Sequence, residues 1–572
     1  MFFLFVTLAS LSMVAIVLLA LASPKVIHRI LNEIFGRTIW ASAVFRPEAP
    51  SLEKYDLEFF PKLESDSSSQ SHNDDDGREC NSKIYNTRIV KVTPCKKNST
   101  ESVTLLTCPD LYSRLRTNAV CYTLLYPVHI EEQVLLKSLS QVLSEIPLVG
   151  AKYLELDSQN KNHLKLLSET EQELVKGRKK KILVLDHSNA FVNVLIRGQT
   201  DEISKRVDDK LMMKQVENLD DFTDHEREEL FGALVFETET CSPYSKKEIS
   251  RIQVTYLKSG KMVLSLTLNH SVGGADTGYY FLRSWCEMAK FGKLSEIPIL
   301  DRTDMIYPRH LLRPSENETK VNMEEEYLFY KYLLSTIHCL FLYKSKERTL
   351  NFSVSKLDRM KEQVRNSLCE KQQDTSNLVI STNDIICGIL FKLMALSDPS
   401  LSNETILSFR FVANFAPKYP PYNKKGFHFV GNSLMAIWIH KTKQELLDMT
   451  LNECICMIRQ HVLVQYTEEN ARQFIKESSR AYFDEGKSDF YKPIIQNVRT
   501  TFSLTNWCKY SFVRDCDFGK GAPQRFLQLE KMDALHHGFL VESTPETLQL
   551  KCGLTDREYE NLREMCKDLI VV

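Results

Sequence analysis

The residues best suited to chemistry lie between positions 261 and 290, KMVLSLTLNHSVGGADTGYYFLRSWCEMAK. Leu264, Leu266 and Leu268 share one parity and Val263, Ser265 and Thr267 the other, the period of a half-buried strand. His270 has the parity of the leucines, so the strand is predicted to turn its imidazole inward at its end. Gly273 and Gly274 then break the strand. Phe281, Leu282, Trp285 and Met288 form a helical stripe, for which Asp276 or Thr277 is the expected N-cap. Imidazole titrates near neutrality, and one fixed by a sheet beside a glycine corner is suited to general-base work. A blander reading stands beside it: a lone inward histidine is more often a hydrogen-bonded core residue, and Asp276 an ordinary helix cap.

The elements that must position this histidine belong to a chain of 572 residues, enough for one large domain or two medium ones. Lys and Arg number 73 against 74 Asp and Glu, so no global field points to nucleic acid. Residues 1–24 carry no charge and are long enough to span a bilayer as a helix. Ala20-Leu21-Ala22 resembles a cleavage site, but a basic leader is missing and Lys25, Arg29 and Arg37 follow the segment. An uncleaved single-pass anchor is therefore expected, with the catalytic domain facing the cytosol, as at the endoplasmic reticulum. Residues 25–84 read as a juxtamembrane helix followed by a flexible polar linker, including SDSSSQSHNDDDG. The 15 cysteines, odd in number and lacking CxxC spacing, fit reduced thiols; neither a disulfide framework nor a metal site is expected. Sequons at Asn98, Asn317, Asn351 and Asn403 would argue for the opposite orientation if glycosylated.

The folded part is expected from about Tyr85. Two strands lead into a leucine-spaced helix, HIEEQVLLKSLSQVLSEIPLVG, closed by Gly150. An N-terminal half is assigned to 85–300, a crossover with the apolar stretch EEEYLFYKYLLSTIHCLFLYKSK to 301–345, and a C-terminal half to 346–572. In the C-terminal half, RTLNFSVSKLDRMKEQV reads as strand then helix, and STNDIICGILFKLMALS as a core helix capped by Ser381 or Thr382.

Three ordered motifs carry a resemblance. Asn269-His270, a glycine corner and a helix reading FLRSW resemble the signature of the BAHD acyltransferases, within the chloramphenicol-acetyltransferase-like folds. The family's Asp after the histidine falls here on Gly274 and its Gly on Ala275, with Asp276 two residues late. Residues 410–434, RFVANFAPKYPPYNKKGFHFVGNSL, resemble the family's crossing segment, with Pro420 and Pro421 halting a strand and Asn432 closing a Phe-x-Gly-Asn run. The family's arginine partner for that Asp falls near Phe415 and Pro417, so both members of the pair are missing from their places. Residues 501–526 match most specifically: Thr505, Asn506 and Trp507 stand for the Thr-Ser-Trp strand, and Asp517, Phe518, Gly519 and Gly521 for Asp-Phe-Gly-Trp-Gly, with Lys520 in place of the tryptophan.

The resemblance implies an α/β fold of mixed sheets, two chloramphenicol-acetyltransferase-like halves with a tunnel between them. It implies acyl-CoA as co-substrate, no permanently bound cofactor, and His270 as the base that deprotonates an alcohol or amine attacking the thioester. Thr505, Asn506 or the indole of Trp507 would supply an oxyanion donor. Gly273, Gly274, Asp276, Asn432, Asp517, Phe518, Gly519 and Gly521 would be motif residues shaping the fold. An anchor beside an aromatic crossover suggests a small lipophilic acceptor, and a monomer is expected. Two rivals remain: an inactive acyl-CoA- or partner-binding module of the same fold, and a relative of wax, glyceride or peptide-condensing enzymes. Those relatives carry paired histidines, where this chain has Asn269.

Overall fold

The computed structural model describes residues 57–60, 87–96, 103–111, 119–176, 181–213, 224–236, 248–308, 345–370, 379–480, 499–530, 532 and 534–571. The chain divides into two compact units, Met1–Glu48 and Ala49–Val572, and every described residue belongs to the second. The expected anchor at 1–24 lies outside the described residues, as do most of 25–84 and the apolar part of the crossover. Among the described residues no helix is long and apolar enough to cross a membrane.

Before the histidine come strands β1 (Leu57–Phe60), β2 (Arg88–Val92), β3 (Val103–Leu105), β4 (Ala119–Tyr126), β5 (Lys152–Asp157) and β6 (Lys181–Asp186). They are followed by β7 (Val192–Arg197), β8 (Ser250–Tyr256) and β9 (Met262–Asn269). After it come β10 (Ile297–Ile299), β11 (Lys346–Ser353), β12 (Ile406–Asn414), β13 (Phe427–Phe429) and β14 (Leu434–Thr442). The last are β15 (Thr501–Asn506), β16 (Arg525–Phe526), β17 (His537–Thr544) and β18 (Thr547–Leu554). The helices that bear on the site are α1 (Glu132–Glu145), α2 (Glu202–Met213), α3 (Asp224–Leu234), α4 (Ala275–Phe291), α5 (Thr382–Ser397) and α6 (Leu451–Gln465).

One mixed sheet runs β1-β2-β7-β8-β9-β4-β16 and a second β11-β18-β17-β15-β12-β14. Within 25–84, read as a juxtamembrane helix and polar linker, Leu57–Phe60 is instead a strand: these residues, half of them phenylalanine, pair in parallel with β2 at the sheet edge. β9 lies between β8 and β4, antiparallel to both. Leu264, Leu266 and Leu268 face the larger core with Trp285 and Phe281 of α4 and Leu139 and Leu143 of α1. Val263 faces Cys121, Leu125, Val207, Leu211, Leu230 and Leu234, the last four from α2 and α3. The expected half-buried strand is therefore buried on both faces, because helices cover both sides of the sheet. Its parity is as the sequence predicts; its polar Ser265 and Thr267 are accommodated by hydroxyl and thiol neighbours Thr123 and Cys121.

The second sheet is packed by α5, buried on most of its surface and capped by Ser381 in a box with Asp384. Gly388 lets α6 approach closely: a Cβ there would lie 2.7 Å from Cγ1 of Ile455. Two contributions tie the halves together. β16, from the C-terminal half, pairs antiparallel with β4 of the first sheet. β10, at the end of the N-terminal half, pairs in parallel with β13, whose last residue opens the Phe-x-Gly-Asn run. β12 already ends at Asn414, ahead of Pro420 and Pro421; a short 3-10 turn at Ala416–Lys418 stops it before the prolines are reached.

Candidate active site

His270 follows β9 by one residue and sits where elements from both halves converge. Asn269 fixes the turn behind it: its Oδ1 accepts from the Tyr153 hydroxyl (2.7 Å), the Ser271 N–H (3.0 Å) and the Ser271 hydroxyl (2.7 Å). Asn432 holds the histidine itself, its Nδ2 donating to the His270 carbonyl at 2.7 Å. The His270 side chain is half-buried, and its two nitrogens differ. Nδ1 is sealed in the protein beside the Asn432 amide, whose Oδ1 is likewise buried, and neither atom has a formed hydrogen bond. Nε2 is neither sealed nor bonded, so it is the nitrogen a substrate can reach. Burial pushes the imidazole below its usual range, partly offset by its own backbone, the Asn432 side chain and the Asp110 carboxylate. The neutral, proton-accepting ring is thus the prevailing form at neutral pH.

The glycine corner is built for close approach. A Cβ on Gly273 would lie 2.1 Å from Oγ1 of Thr277, a collision; one on Gly274 would lie 3.2 Å from Cε1 of His270 and press on the ring. Gly274 is the N-cap of α4, which corrects the expectation that Asp276 or Thr277 caps it. Both have other partners. Thr277 Oγ1 donates to the Gly431 carbonyl (3.2 Å) and accepts the Gly431 N–H (3.1 Å), joining α4 to the loop before β14. Asp276 Oδ2 lies 3.1 Å from Nε2 of His428, whose ring stacks on Tyr280 at 4.1 Å. Burial pushes the Asp276 carboxyl up, but His428, Lys509 and Tyr510 outweigh it and hold it below its ordinary value.

Beneath the turn lies an ion pair that the motif comparison places nowhere. Arg302 Nη1 is 2.8 Å from Asp110 Oδ2, with the two side chains 1% and 0% exposed. Arg302 Nη2 also donates to the carbonyls of Val272 (2.8 Å) and Val430 (3.1 Å), and Nη1 reaches that of Ser271 at 3.5 Å. Asp110 Oδ1 accepts from Asn432 N (3.2 Å) and Nδ2 (3.1 Å), and Oδ2 from Thr107 N (2.9 Å) and Oγ1 (2.7 Å). The family's two positions stay without their Asp and Arg, at Gly274 and near Phe415 and Pro417, and this buried ion pair comes from other segments. Neither residue announces itself. Asp110 reads as the end of a turn in TCPD, and Arg302 as one charge in a loop.

Of the oxyanion candidates, Thr505 is exposed at the end of β15. Asn506 is committed, its Nδ2 donating to Asn383 Oδ1 (2.7 Å) and its Oδ1 accepting the Cys508 N–H (2.8 Å). Trp507 is 9% exposed, stacked on Tyr122 at 5.3 Å and edge-on to Phe539 at 4.7 Å. The Tyr122 hydroxyl donates to the Gly274 carbonyl at 3.0 Å, so Trp507 buttresses the histidine turn at one remove. The structure sets the Asp517 turn at the far end of α4. Asp517 Oδ1 accepts from Gly519 N (2.8 Å) and Gly521 N (2.9 Å), and Oδ2 pairs with Lys290 (2.9 Å). Gly519 and Gly521 take φ of +93° and +113°, which residues with a Cβ rarely adopt, and Phe518 lies edge-on to Trp285. Lys520 is exposed. Among the described residues no three of His, Cys, Asp and Glu gather as metal ligands.

A pair of mixed sheets sharing strands across a central histidine turn defines the class of fold, and comparison with known proteins supplies the family. A model of the Transferase family matches residues 213–536, more than half of the chain. The chain is similar to a fatty alcohol:caffeoyl-CoA acyltransferase of Arabidopsis thaliana, 26% identical over 275 residues, which are 48% of this chain and 56% of that protein. The chain thus matches little more than half the length of that relative. In fold it is similar to TRI101 of F. sporotrichioides crystallised with coenzyme A and T-2, at a TM-score of 0.57 and 14% identity, over 82% of this chain and 99% of that one. It is also similar to vinorine synthase, at a TM-score of 0.51 and 13% identity, over 85% and 99%. The chain belongs to the Transferase family, the BAHD-type acyltransferases.

Proposed function

We propose that the protein transfers an acyl group from acyl-CoA to the hydroxyl of a small lipophilic acceptor, with His270 as general base. The observation that carries this reading is the asymmetry of the ring: Nδ1 sealed beside Asn432, Nε2 open, and burial favouring the neutral form. Nε2 takes the acceptor's proton as its oxygen attacks the thioester carbonyl, and returns it to the departing thiolate. With Nδ1 sealed, Nε2 is the nitrogen left to accept the proton. Of the donors considered for the oxyanion, the exposed Thr505 is the one with a hydroxyl to offer. An amine acceptor needs the same base and is the alternative. The name of the Arabidopsis relative, with a fatty alcohol as its acceptor, supports a lipophilic alcohol.

The test is thiol release from a panel of acyl-CoAs with pooled lipophilic alcohols and amines, wild type against His270→Ala. Turnover is expected to fall by about 100-fold or more, as for loss of a positioned general base, with circular dichroism unchanged. Equal release from both would remove His270 as catalyst. Acyl-CoA binding without turnover in the wild type would favour an inactive binding module.

The uncharged stretch 1–24 supports a single-pass anchor at the endoplasmic reticulum with the catalytic domain in the cytosol. Deleting residues 1–24 is expected to move the protein from the membrane pellet to the supernatant. Unchanged sedimentation of the deleted form would refute the anchor.

A further inference from the structure

We propose that Asp110 and Arg302, brought together from segments 192 residues apart in sequence, are the positioning pair for His270. They take over the work that the family's motif gives to an Asp–Arg pair missing here from its usual places. The inference rests on the reading of His270 as the base and adds which residues hold it.

The geometry gives each charge a separate task. Arg302 gathers the carbonyls of Ser271, Val272 and Val430, so one planar guanidinium fixes the turn after His270 and the loop before β14. Asp110 binds both the main-chain and side-chain nitrogen of Asn432, and that same Nδ2 donates to the His270 carbonyl. Fixing Asn432 Nδ2 in this way also fixes the direction of Oδ1, the amide oxygen beside the sealed Nδ1 of the ring. The chain of contact runs Arg302, Asp110, Asn432, His270. A space reserved for it is visible at Gly431, where a Cβ would lie 3.2 Å from Nε of Arg302 and 2.7 Å from the Phe429 ring.

Burying two charges costs more than their attraction returns unless every remaining donor and acceptor is used. Here both carboxylate oxygens and both terminal nitrogens of the guanidinium are used, Arg302 Nε alone staying unpaired, and apart from Thr107 their partners are the atoms that set the histidine's backbone and amide neighbour. An ion pair serving stability alone has no need to end on those atoms. The pair also explains why Gly274 is tolerated where the family has its Asp. With the carboxylate arriving from Asp110, that position is released, and a residue without a side chain leaves room for the ring.

Among the described residues the charged groups at the turn are Asp110 and Arg302; Asp276, on the following helix, is held by His428 and Lys509. Two variants separate the tasks, each measured for kcat, KM and active sites counted by acyl-CoA binding. Asp110→Asn removes the carboxylate that favours the protonated ring. It is expected to lower kcat about 10- to 100-fold, the usual cost of losing an orienting outer partner. The acid limb of kcat/KM should move to lower pH, with KM for acyl-CoA changed by less than about 3-fold, as expected when substrate binding is untouched. Arg302→Lys keeps the charge but loses the fork, and is the milder variant should Asp110→Asn fail to fold. It is expected to lower kcat about 10-fold and leave the acid limb in place. A purely structural pair would lower the melting temperature and the number of active sites while leaving kcat per site and the acid limb unchanged, and that result overturns the proposal. His270→Ala, run in parallel, distinguishes the failures. Turnover surviving in that variant removes the base and the positioning pair together. Turnover lost there but intact per site in both pair variants removes the positioning pair alone.

Discussion

At the scale of single residues, the site turns on how an imidazole is kept neutral and aimed without the carboxylate that the family's motif places near it. Burial lowers the pKa of His270 from its ordinary value of 6.5. On the proposed general-base role the neutral ring is the active one, so kcat/KM should be flat above that value and fall only below it, as protons reach the ring. Asn432 favours the charged form, so Asn432→Ala should move the acid limb further down, and the loosened ring should cost about 10-fold in kcat. The pH dependence of kcat/KM for the two proteins checks both. A wild-type limb above 6.5, or a limb that rises in Asn432→Ala, would contradict this account of the ring's surroundings. Parity turns His270 inward after three leucines in register, and the glycine corner and FLRSW helix that follow it carry the family resemblance. The sequence left Asp110 and Arg302 invisible, because an ion pair between residues far apart has no period and no spacing.

At the scale of elements, legibility followed the strength of local patterning. β9, α4 and the strand–helix opening of the C-terminal half were readable from alternation, helical stripes and caps, since those signals come from neighbours in sequence. Gly519 and Gly521 are legible through the motif match, and the structure puts both at positive φ in a turn closed by Asp517. What escaped was whatever a distant element decides. β9 was expected half-buried because its second face carries Ser265 and Thr267; α2 and α3 cover that face, and hydroxyls with nearby partners tolerate it. The cap of α4 was misplaced by two or three residues. Thr277 and Asp276 are good capping types, but each is claimed by a residue of the C-terminal half, Gly431 and His428, which no local rule anticipates. The edge strand at Leu57–Phe60 lay inside a segment whose composition as a whole reads as linker, and four apolar-rich residues are too few to overturn such a reading.

At the scale of the molecule, the described halves are one folding unit despite having two sheets. The larger core contains Trp507, Phe512, Phe518, Phe526 and Phe539 from the C-terminal half beside Tyr122, Leu264 and Trp285 from the N-terminal half. Five buried aromatics at about 1.5–3 kcal/mol each rival the about 5–15 kcal/mol that holds a whole domain. β16 adds a strand to the first sheet, Thr277 and Gly431 exchange two hydrogen bonds, and Arg302 binds a carbonyl on each side. A C-terminal half cut free at residue 345 would leave those aromatics without the surface they cover and would strip β4 of its edge partner. Scanning calorimetry of the whole protein should therefore give a single endotherm, with a van't Hoff enthalpy close to the calorimetric one. The isolated fragment 346–572 should show no cooperative transition. Two well-separated endotherms, or a fragment that melts cooperatively alone, would mean that each half holds its own core and that the histidine turn sits at a hinge rather than inside a shared interior. The same sharing bears on catalysis. On the proposed role of His270, a base held from both halves keeps its place only while they are joined, so loss of turnover on heating should coincide with the one endotherm rather than precede it.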